Sequence, residues 1–110
     1  MHVADKPHAL PALDDNGLLI DPAQWNENVA QALAGHFGVG ELTDDHWLVI
    51  NSLREHFERV GAAPAMIRVC RTHGHDGAWV HRLFHTCLNA WRVAGLPDPG
   101  EEAKSYLSAT

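Results

Sequence analysis

The chain has 110 residues, with 8 lysines and arginines against 14 aspartates and glutamates, so its formal net charge is −6. This length argues for a single domain, and the acidic balance disfavours a non-specific nucleic-acid binder, which needs a basic surface for phosphates. No apolar run approaches the roughly 20 residues of a membrane span, and residues 1–7 lack the apolar segment of a signal peptide. Two cysteines are too few for a disulfide framework and indicate a reducing cytoplasm.

The N-terminal part of the chain predicts a loose end followed by a β-hairpin. Residues 1–8 are poor in large apolar groups, so we expect them to be loose. Asn16 and Gly17 then lie between short apolar runs at residues 9–13 and 18–20. Because both residues tolerate positive φ, this arrangement is typical of a hairpin turn.

Two helices are predicted next, each with its own start signal. Asp21 and Pro22 suit the cap and first position of a helix that extends towards the glycines after position 34. Thr43 is the expected cap of a second helix, which an apolar stripe carries to Val60 before Gly61 ends it.

The C-terminal half predicts two more helices and a polar tail. Pro64 opens a short third helix that reaches about Thr72. Asp76 is the expected cap of a fourth helix, which continues without interruption to Gly95. Residues 100–110 are mostly polar and predict either a frayed helical turn or a mobile arm. The whole is a mostly α protein, a small helical bundle with an N-terminal β-hairpin.

Taken in order, these segments resemble the DsrC/TusE family of sulfur-relay proteins. The most specific features are T-x-x-H-W at residues 43–47, P-x-x-I-R at 64–68 and A-G-L-P-x-P at 94–99. The matching stretches are LLIDPAQWNE (18–27), LTDDHWLVI (42–50), LREHF (53–57), PAMIRV (64–69), LF (83–84) and AGLPDP (94–99).

The resemblance implies a hairpin on an orthogonal helical bundle, together with a flexible C-terminal arm. In the family, a cysteine near the end of that arm carries sulfur as a persulfide, and some members have a second cysteine upstream. Counted along residues 94–99, these cysteines should fall at about Glu102 and at Trp91, and neither position holds a cysteine. The sequence therefore favours a DsrC/TusE-like protein that binds or regulates other sulfur-metabolism proteins without carrying sulfur. This interpretation disfavours an enzyme but leaves the question open, and the activity to expect of an active protein is persulfide transfer.

One alternative is a sulfur carrier that uses a relocated thiol, since persulfide transfer requires a thiolate that can reach its partner. Cys87 lies on the predicted apolar stripe of the fourth helix, where it should act as a small hydrophobic residue with a raised pKa. Cys70 lies between Arg68 and Arg71, which would lower its pKa if it were exposed.

A second alternative is a metal-binding module, because histidines cluster between positions 70 and 87. His81 and His85 are four residues apart on one predicted helix, a spacing that can chelate a metal ion. His73 and His75 could add ligands from the preceding turn. Scattered surface histidines are the simpler interpretation, and we expect no cofactor.

Three further residues are candidate binding residues. Arg68 matches a family arginine and suits an acidic or carboxylate group. His46 lies at the start of the second helix. Trp79 lies outside the apolar stripe and is expected to be exposed on a partner surface. DNA is a possible but disfavoured partner: four arginines could cluster, yet the net charge is −6. Those arginines are Arg68, Arg71, Arg82 and Arg92.

Overall fold

The computed structural model describes residues 10–110, so the predicted loose segment at residues 1–8 lies outside the described residues. Over the described range the chain forms a bundle of α-helices, as predicted. They are α1 (Glu27–His36), α2 (Asp44–Val60), α3 (Met66–Thr72), α4 (Trp79–Phe84), α5 (Cys87–Val93) and α6 (Glu101–Ala109), with a short 3-10 helix at Pro22–Gln24 before α1. No helix within residues 10–110 is long and apolar enough to cross a membrane.

The predicted N-terminal hairpin is reduced to a tight reversal. The Asp14 carboxylate accepts hydrogen bonds from the backbone N–H groups of Asn16 and Leu18, and Leu13 pairs with Leu19 in one isolated antiparallel bridge. Residues 10–110 contain no extended strand beyond this bridge. Because the neighbouring Leu18 and Leu19 are both buried, this segment does not alternate between a core face and a solvent face as a pleated strand would.

The start of the first α-helix differs from the prediction. Asp21 caps only the 3-10 turn, through a 3.0 Å hydrogen bond from the Ala23 N–H. The chain is then extended at Trp25, and α1 begins at Glu27, where the Asn26 side chain accepts from the Val29 N–H at 2.8 Å. The indole of Trp25 donates to the Val93 carbonyl at 2.9 Å, a long-range contact that the local helix signals could not show.

The second and third helices agree with the prediction. Thr43 and His46 form a reciprocal capping box at the start of α2, and Gly61 ends that helix. The third helix begins at Met66, two residues after Pro64, and ends at Thr72 as expected.

The predicted fourth helix is in fact two helices. Asp76 accepts from the Ala78 N–H and α4 starts at Trp79, but that helix stops at Phe84 because His85 takes a positive φ of 74°. Thr86 then caps α5 through a hydrogen bond from the Asn89 N–H. The side chain of Asn89 in turn donates to the Phe84 carbonyl, which satisfies a buried acceptor at the end of α4.

Helix α5 lies at the centre of the bundle. Six of its seven residues are buried, and it packs against α1, α2, α4 and α6. Helix α6 covers one side of α5 through Leu107, which is fully buried, and it reaches α3 through the Tyr106 hydroxyl, which accepts from the Met66 N–H at 2.8 Å. Residues 101–109 are therefore a helix packed on the bundle in this structure.

Candidate functional site

Both cysteines lie inside the bundle. Cys70, on α3, exposes 1% of its surface, and Cys87, the first residue of α5, exposes 4%. Neither forms a disulfide. Burial raises the pKa of the Cys87 thiol, while a hydrogen bond with the Thr110 side chain acts in the opposite direction. A buried, protonated thiol is a poor nucleophile, so Cys87 is not poised for attack in this conformation.

The end of α6 closes over the region around Cys87. Thr110 contacts Cys87 through its side chain, and its backbone oxygen accepts a hydrogen bond from Nδ1 of His81 on α4. Leu107, about one turn earlier on α6, is fully buried. Residues near the end of the sequence thus lie beside Cys87 and α4.

The two positions where the family resemblance places cysteines have very different surroundings. Glu102 is exposed in the first turn of α6. Trp91 is fully buried in α5, where its indole donates to the Pro97 carbonyl at 2.8 Å and its ring meets Phe57 edge-on at 5.9 Å. The first position could present a side chain to a partner, whereas the second supports the core.

His46 lies in the interior, with 7% of its surface exposed. Its Nδ1 accepts from the Thr43 N–H at 3.0 Å, so the proton is on Nε2, which donates to the Leu83 carbonyl at 2.9 Å. The ring also meets Phe84 edge-on at 5.0 Å. These contacts join the start of α2 to the end of α4 and give His46 a structural role.

The prediction that Trp79 is exposed is wrong. Only 4% of its surface is accessible, because the His75 ring stacks on it with centroids 4.1 Å apart and planes 7° apart. His73 lies 5.6 Å away on the same indole and hydrogen-bonds to the Ser52 hydroxyl at 2.8 Å. Helical phase alone could not show this burial, because the histidines that cover Trp79 come from the segment before α4.

The four histidines considered as metal ligands have separate partners. His73 and His75 lie against Trp79, His81 bonds to Thr110, and Nε2 of His85 lies 3.2 Å from the Gly38 carbonyl. Across the described part of the chain, no three His, Cys, Asp or Glu side chains are grouped so that they could hold a metal ion.

Arg68 lies at the surface, on the exposed side of α3. It borders a cavity of about 170 Å³ between α2 and α3, which Arg59 also lines. The remaining lining residues are Ser52, Glu55, His56, Pro64, Val69 and Thr72. The sequence analysis did not single out Arg59, and within residues 10–110 its side chain makes no ion pair.

Comparison with known proteins shows the class to which this fold belongs. A family profile described as "DsrC like protein" matches residues 8–101. The chain belongs to this DsrC-like family.

Two curated relatives and two solved structures illustrate the similarity. The sulfurtransferase TusE of Salmonella choleraesuis (strain SC-B67) is 30% identical over 95 residues, covering 78% of this chain and 86% of the relative. The TusE homolog of Haemophilus influenzae is 30% identical over 97 residues, covering 80% and 88%. The oxidized gamma-subunit of dissimilatory sulfite reductase (DsrC) from Archaeoglobus fulgidus matches with a TM-score of 0.72 and 33% identity over 83% of this chain and 90% of that one. A chain in the structure of dissimilatory sulfite reductase I (DsrI) matches with a TM-score of 0.73 and 25% identity, covering 82% and 88%.

Proposed function

We propose that this protein is a docking relative of the sulfur-relay proteins. It binds other sulfur-metabolism proteins through the family scaffold and does not itself carry sulfur. The observation that carries this proposal is the burial of both thiols, together with Glu102 and Trp91 at the positions where the family resemblance places cysteines.

The chemistry of persulfide relay explains why this observation matters. A carrier thiolate attacks the outer sulfur of a donor persulfide, forms a new S–S bond and releases the donor thiolate. The attacking sulfur must therefore be ionised and must reach the site of another protein. Cys70 and Cys87 lack that access in this conformation, and the Glu102 carboxylate cannot form the S–S bond.

Mass spectrometry tests the absence of sulfur transfer. The protein is incubated with a cysteine desulfurase and cysteine, and its intact mass is then measured without reductant. We expect no gain of a sulfur atom, whereas the Glu102→Cys variant, which places a thiol on the exposed first turn of α6, should accept sulfur. An added sulfur on Cys70 or Cys87 of the unaltered protein would overturn the proposal.

A sulfur carrier with a relocated thiol is the second candidate. It is favoured by one observation, namely that the end of α6 covers Cys87, so movement of this helix would uncover the thiol. Thiol labelling of the native protein distinguishes the two functions, because a working carrier should react at Cys87 at a rate near that of an exposed cysteine. The docking function predicts slow labelling of both cysteines.

The proposed partners are sulfur-metabolism proteins of the kind that the relatives serve, and the proposed location is the cytoplasm, where two free cysteines remain reduced. Because the Archaeoglobus fulgidus relative is the gamma-subunit of dissimilatory sulfite reductase, that enzyme is a suitable first partner. Co-elution of the two purified proteins in size-exclusion chromatography would support docking, and separate elution at micromolar concentrations would count against this partner.

A further inference from the structure

The basic side chains of this acidic chain divide into two groups. Four of the lysines and arginines within residues 10–110 hold contacts inside the protein. They are Arg54, which donates to the Ala94 carbonyl at 2.7 Å, Arg82, paired with Asp76 at 3.1 Å, Arg92, which donates to the Asn16 carbonyl at 2.8 Å, and Lys104, paired with Asp98 at 2.9 Å.

The other three basic residues in this range lie together. Arg59 is in the last turn of α2, and Arg68 and Arg71 are on α3; all three are exposed. Within the described residues none of them makes an ion pair or a side-chain hydrogen bond. Their charges are therefore available at one place on the surface of a chain whose net charge is −6.

Two cavities connect these arginines. Arg59 and Arg68 line the cavity of about 170 Å³ between α2 and α3, while Arg68 and Arg71 line a second one of about 410 Å³ along α3. Arg68 borders both cavities and is the centre of this surface. We call the surface formed by Arg59, Ile67, Arg68, Arg71 and Thr72 the arginine face.

The arginine face also has features that select among ligands. Ile67 is a large apolar side chain that remains 46% exposed beside Arg68 and Arg71. Thr72 and His56 add polar residues to the lining of the α2–α3 cavity, and the acidic Glu55 also lines it. A ligand that fits this surface carries negative charge at one end and an apolar group beside it.

We propose that the arginine face docks an acidic segment of a partner protein. A carboxylate of that segment enters the α2–α3 cavity between Arg59 and Arg68, because guanidinium groups bind carboxylates through paired N–H donors. A second carboxylate meets Arg71, and an apolar side chain of the segment packs on Ile67. This inference rests on the proposed docking function and names the surface that performs it.

A protein segment fits this surface better than a nucleic acid does. Phosphate tracks require many cations along a continuous path, whereas this face has three arginines and adjoins Glu55, which lines the α2–α3 cavity. The net charge of −6 would repel a polyanion beyond the immediate contact. Ile67 has no counterpart in a sugar-phosphate backbone, while arginine beside an apolar group is typical of protein interfaces.

Fluorescence anisotropy tests the inference with a labelled peptide of alternating glutamate and leucine. We expect the peptide to bind at low salt. Its affinity should be about tenfold lower for the triple variant Arg59→Ala, Arg68→Ala, Arg71→Ala, because each exposed ion pair contributes modestly and three are lost. Arg82→Ala is the control, because Arg82 is also exposed but is paired with Asp76; this variant should bind the peptide as the unaltered protein does. Thermal unfolding of each variant checks that the fold is retained.

Several results would overturn the inference. One is that the triple variant binds the acidic peptide as tightly as the unaltered protein does. Another is that a peptide with glutamine in place of glutamate binds as tightly as the acidic peptide. The third is that a single-stranded RNA of the same length binds more tightly than the acidic peptide. Co-elution with dissimilatory sulfite reductase separates this inference from the proposed function. If the triple variant co-elutes as well as the unaltered protein, docking stands and the arginine face is refuted. If the acidic peptide binds the arginine face but sulfite reductase does not co-elute, the proposed partner fails and the face stands.

Discussion

His46 links two helices from inside the bundle, and replacing it should be costly. His46→Ala removes the acceptor for the Thr43 N–H and the donor to the Leu83 carbonyl, so two backbone groups lose their partners. Thr43 is exposed and Leu83 is half-buried, so each lost hydrogen bond costs about 0.5–1.5 kcal/mol. We expect the free energy of unfolding in urea to fall by about 1–3 kcal/mol, from these losses together. His56 is a half-buried histidine on the same helix, so His56→Ala should change the free energy of unfolding little. Equal losses in both variants would contradict this role of His46.

Gly95 is a position where the backbone and the packing both require glycine. Its φ is +70°, and a Cβ there would lie 2.0 Å from Cδ1 of Trp25. Gly95→Ala would displace the indole and break its hydrogen bond to the Val93 carbonyl. Gly61→Ala is the matched control, because Gly61 has a φ of +79° but open space around it.

Thermal unfolding of the Gly95→Ala and Gly61→Ala variants, monitored by tryptophan fluorescence, tests this requirement. Gly61→Ala should cost about 1–2 kcal/mol through left-handed strain alone. We expect a clearly larger loss, with a change in the native emission spectrum, for Gly95→Ala. Equal losses would mean that the Trp25 ring adjusts without cost.

At the scale of single elements, α6 packs against α5, the helix that begins at Cys87. Leu107→Ala removes the fully buried anchor of this helix and should destabilise the protein by about 2–5 kcal/mol. The same change should speed labelling of Cys87 by a thiol reagent, because the end of α6 covers that cysteine. Ser108→Ala, on the exposed side of α6, is the control. Unchanged labelling in Leu107→Ala would show that another element protects the thiol.

The start of α6 also carries a pH-sensitive ion pair. Hydrogen bonds to Asp98 and Glu101 raise the pKa of Lys104, and hydrogen bonds from Lys104 and the Gly100 N–H lower the pKa of Asp98. The lowered pKa of Asp98 stabilises the fold above its unfolded value of about 4, and this contribution is lost as the pH falls below that value. The raised pKa of Lys104 stabilises the fold at pH values below its unfolded pKa of about 10.4. This contribution is lost as the pH rises above that value.

Melting temperatures from pH 3 to pH 9 test this pair. Lys104→Met should lower the melting temperature at neutral pH and make it fall less steeply in acid, since Asp98 loses its cation. The exposed pair of Asp76 with Arg82 provides the control, and Arg82→Ala should alter the acid limb less. An unchanged acid limb in Lys104→Met would contradict the assignment.

Two helix boundaries show the limit of local signals at this scale. Asp21 and Pro22 are typical of a helix N-terminus, but the cap of α1 is Asn26. The backbone is extended at Trp25, whose indole donates to the Val93 carbonyl. The break at His85 was missed because the apolar stripe runs through it without interruption. Thr86, followed three residues later by Asn89, is the local signal that could have shown it.

At the scale of the whole molecule, the lysines and arginines of residues 10–110 differ in whether they have partners inside the protein. The total of −6 is visible in the sequence. Which arginines are occupied by internal partners is decided by contacts between distant positions, such as Arg92 with the Asn16 carbonyl and Arg54 with the Ala94 carbonyl. Arg68 and Arg71 were named together from the sequence, whereas the position of Arg59 beside Arg68, at the cavity between α2 and α3, required the tertiary structure.

The sequence by itself determined the family, the helical class, and both ends of α2, because these depend on local patterns: motif order, apolar periodicity, the Thr43 cap and the Gly61 stop. It also showed that no cysteine stands at positions 91 and 102. Only the tertiary structure decided that Trp79 is covered, that α4 and α5 are separate, and that α6 lies over Cys87. The physical reason is that burial and side-chain partners depend on residues far apart in the chain, which no local pattern specifies.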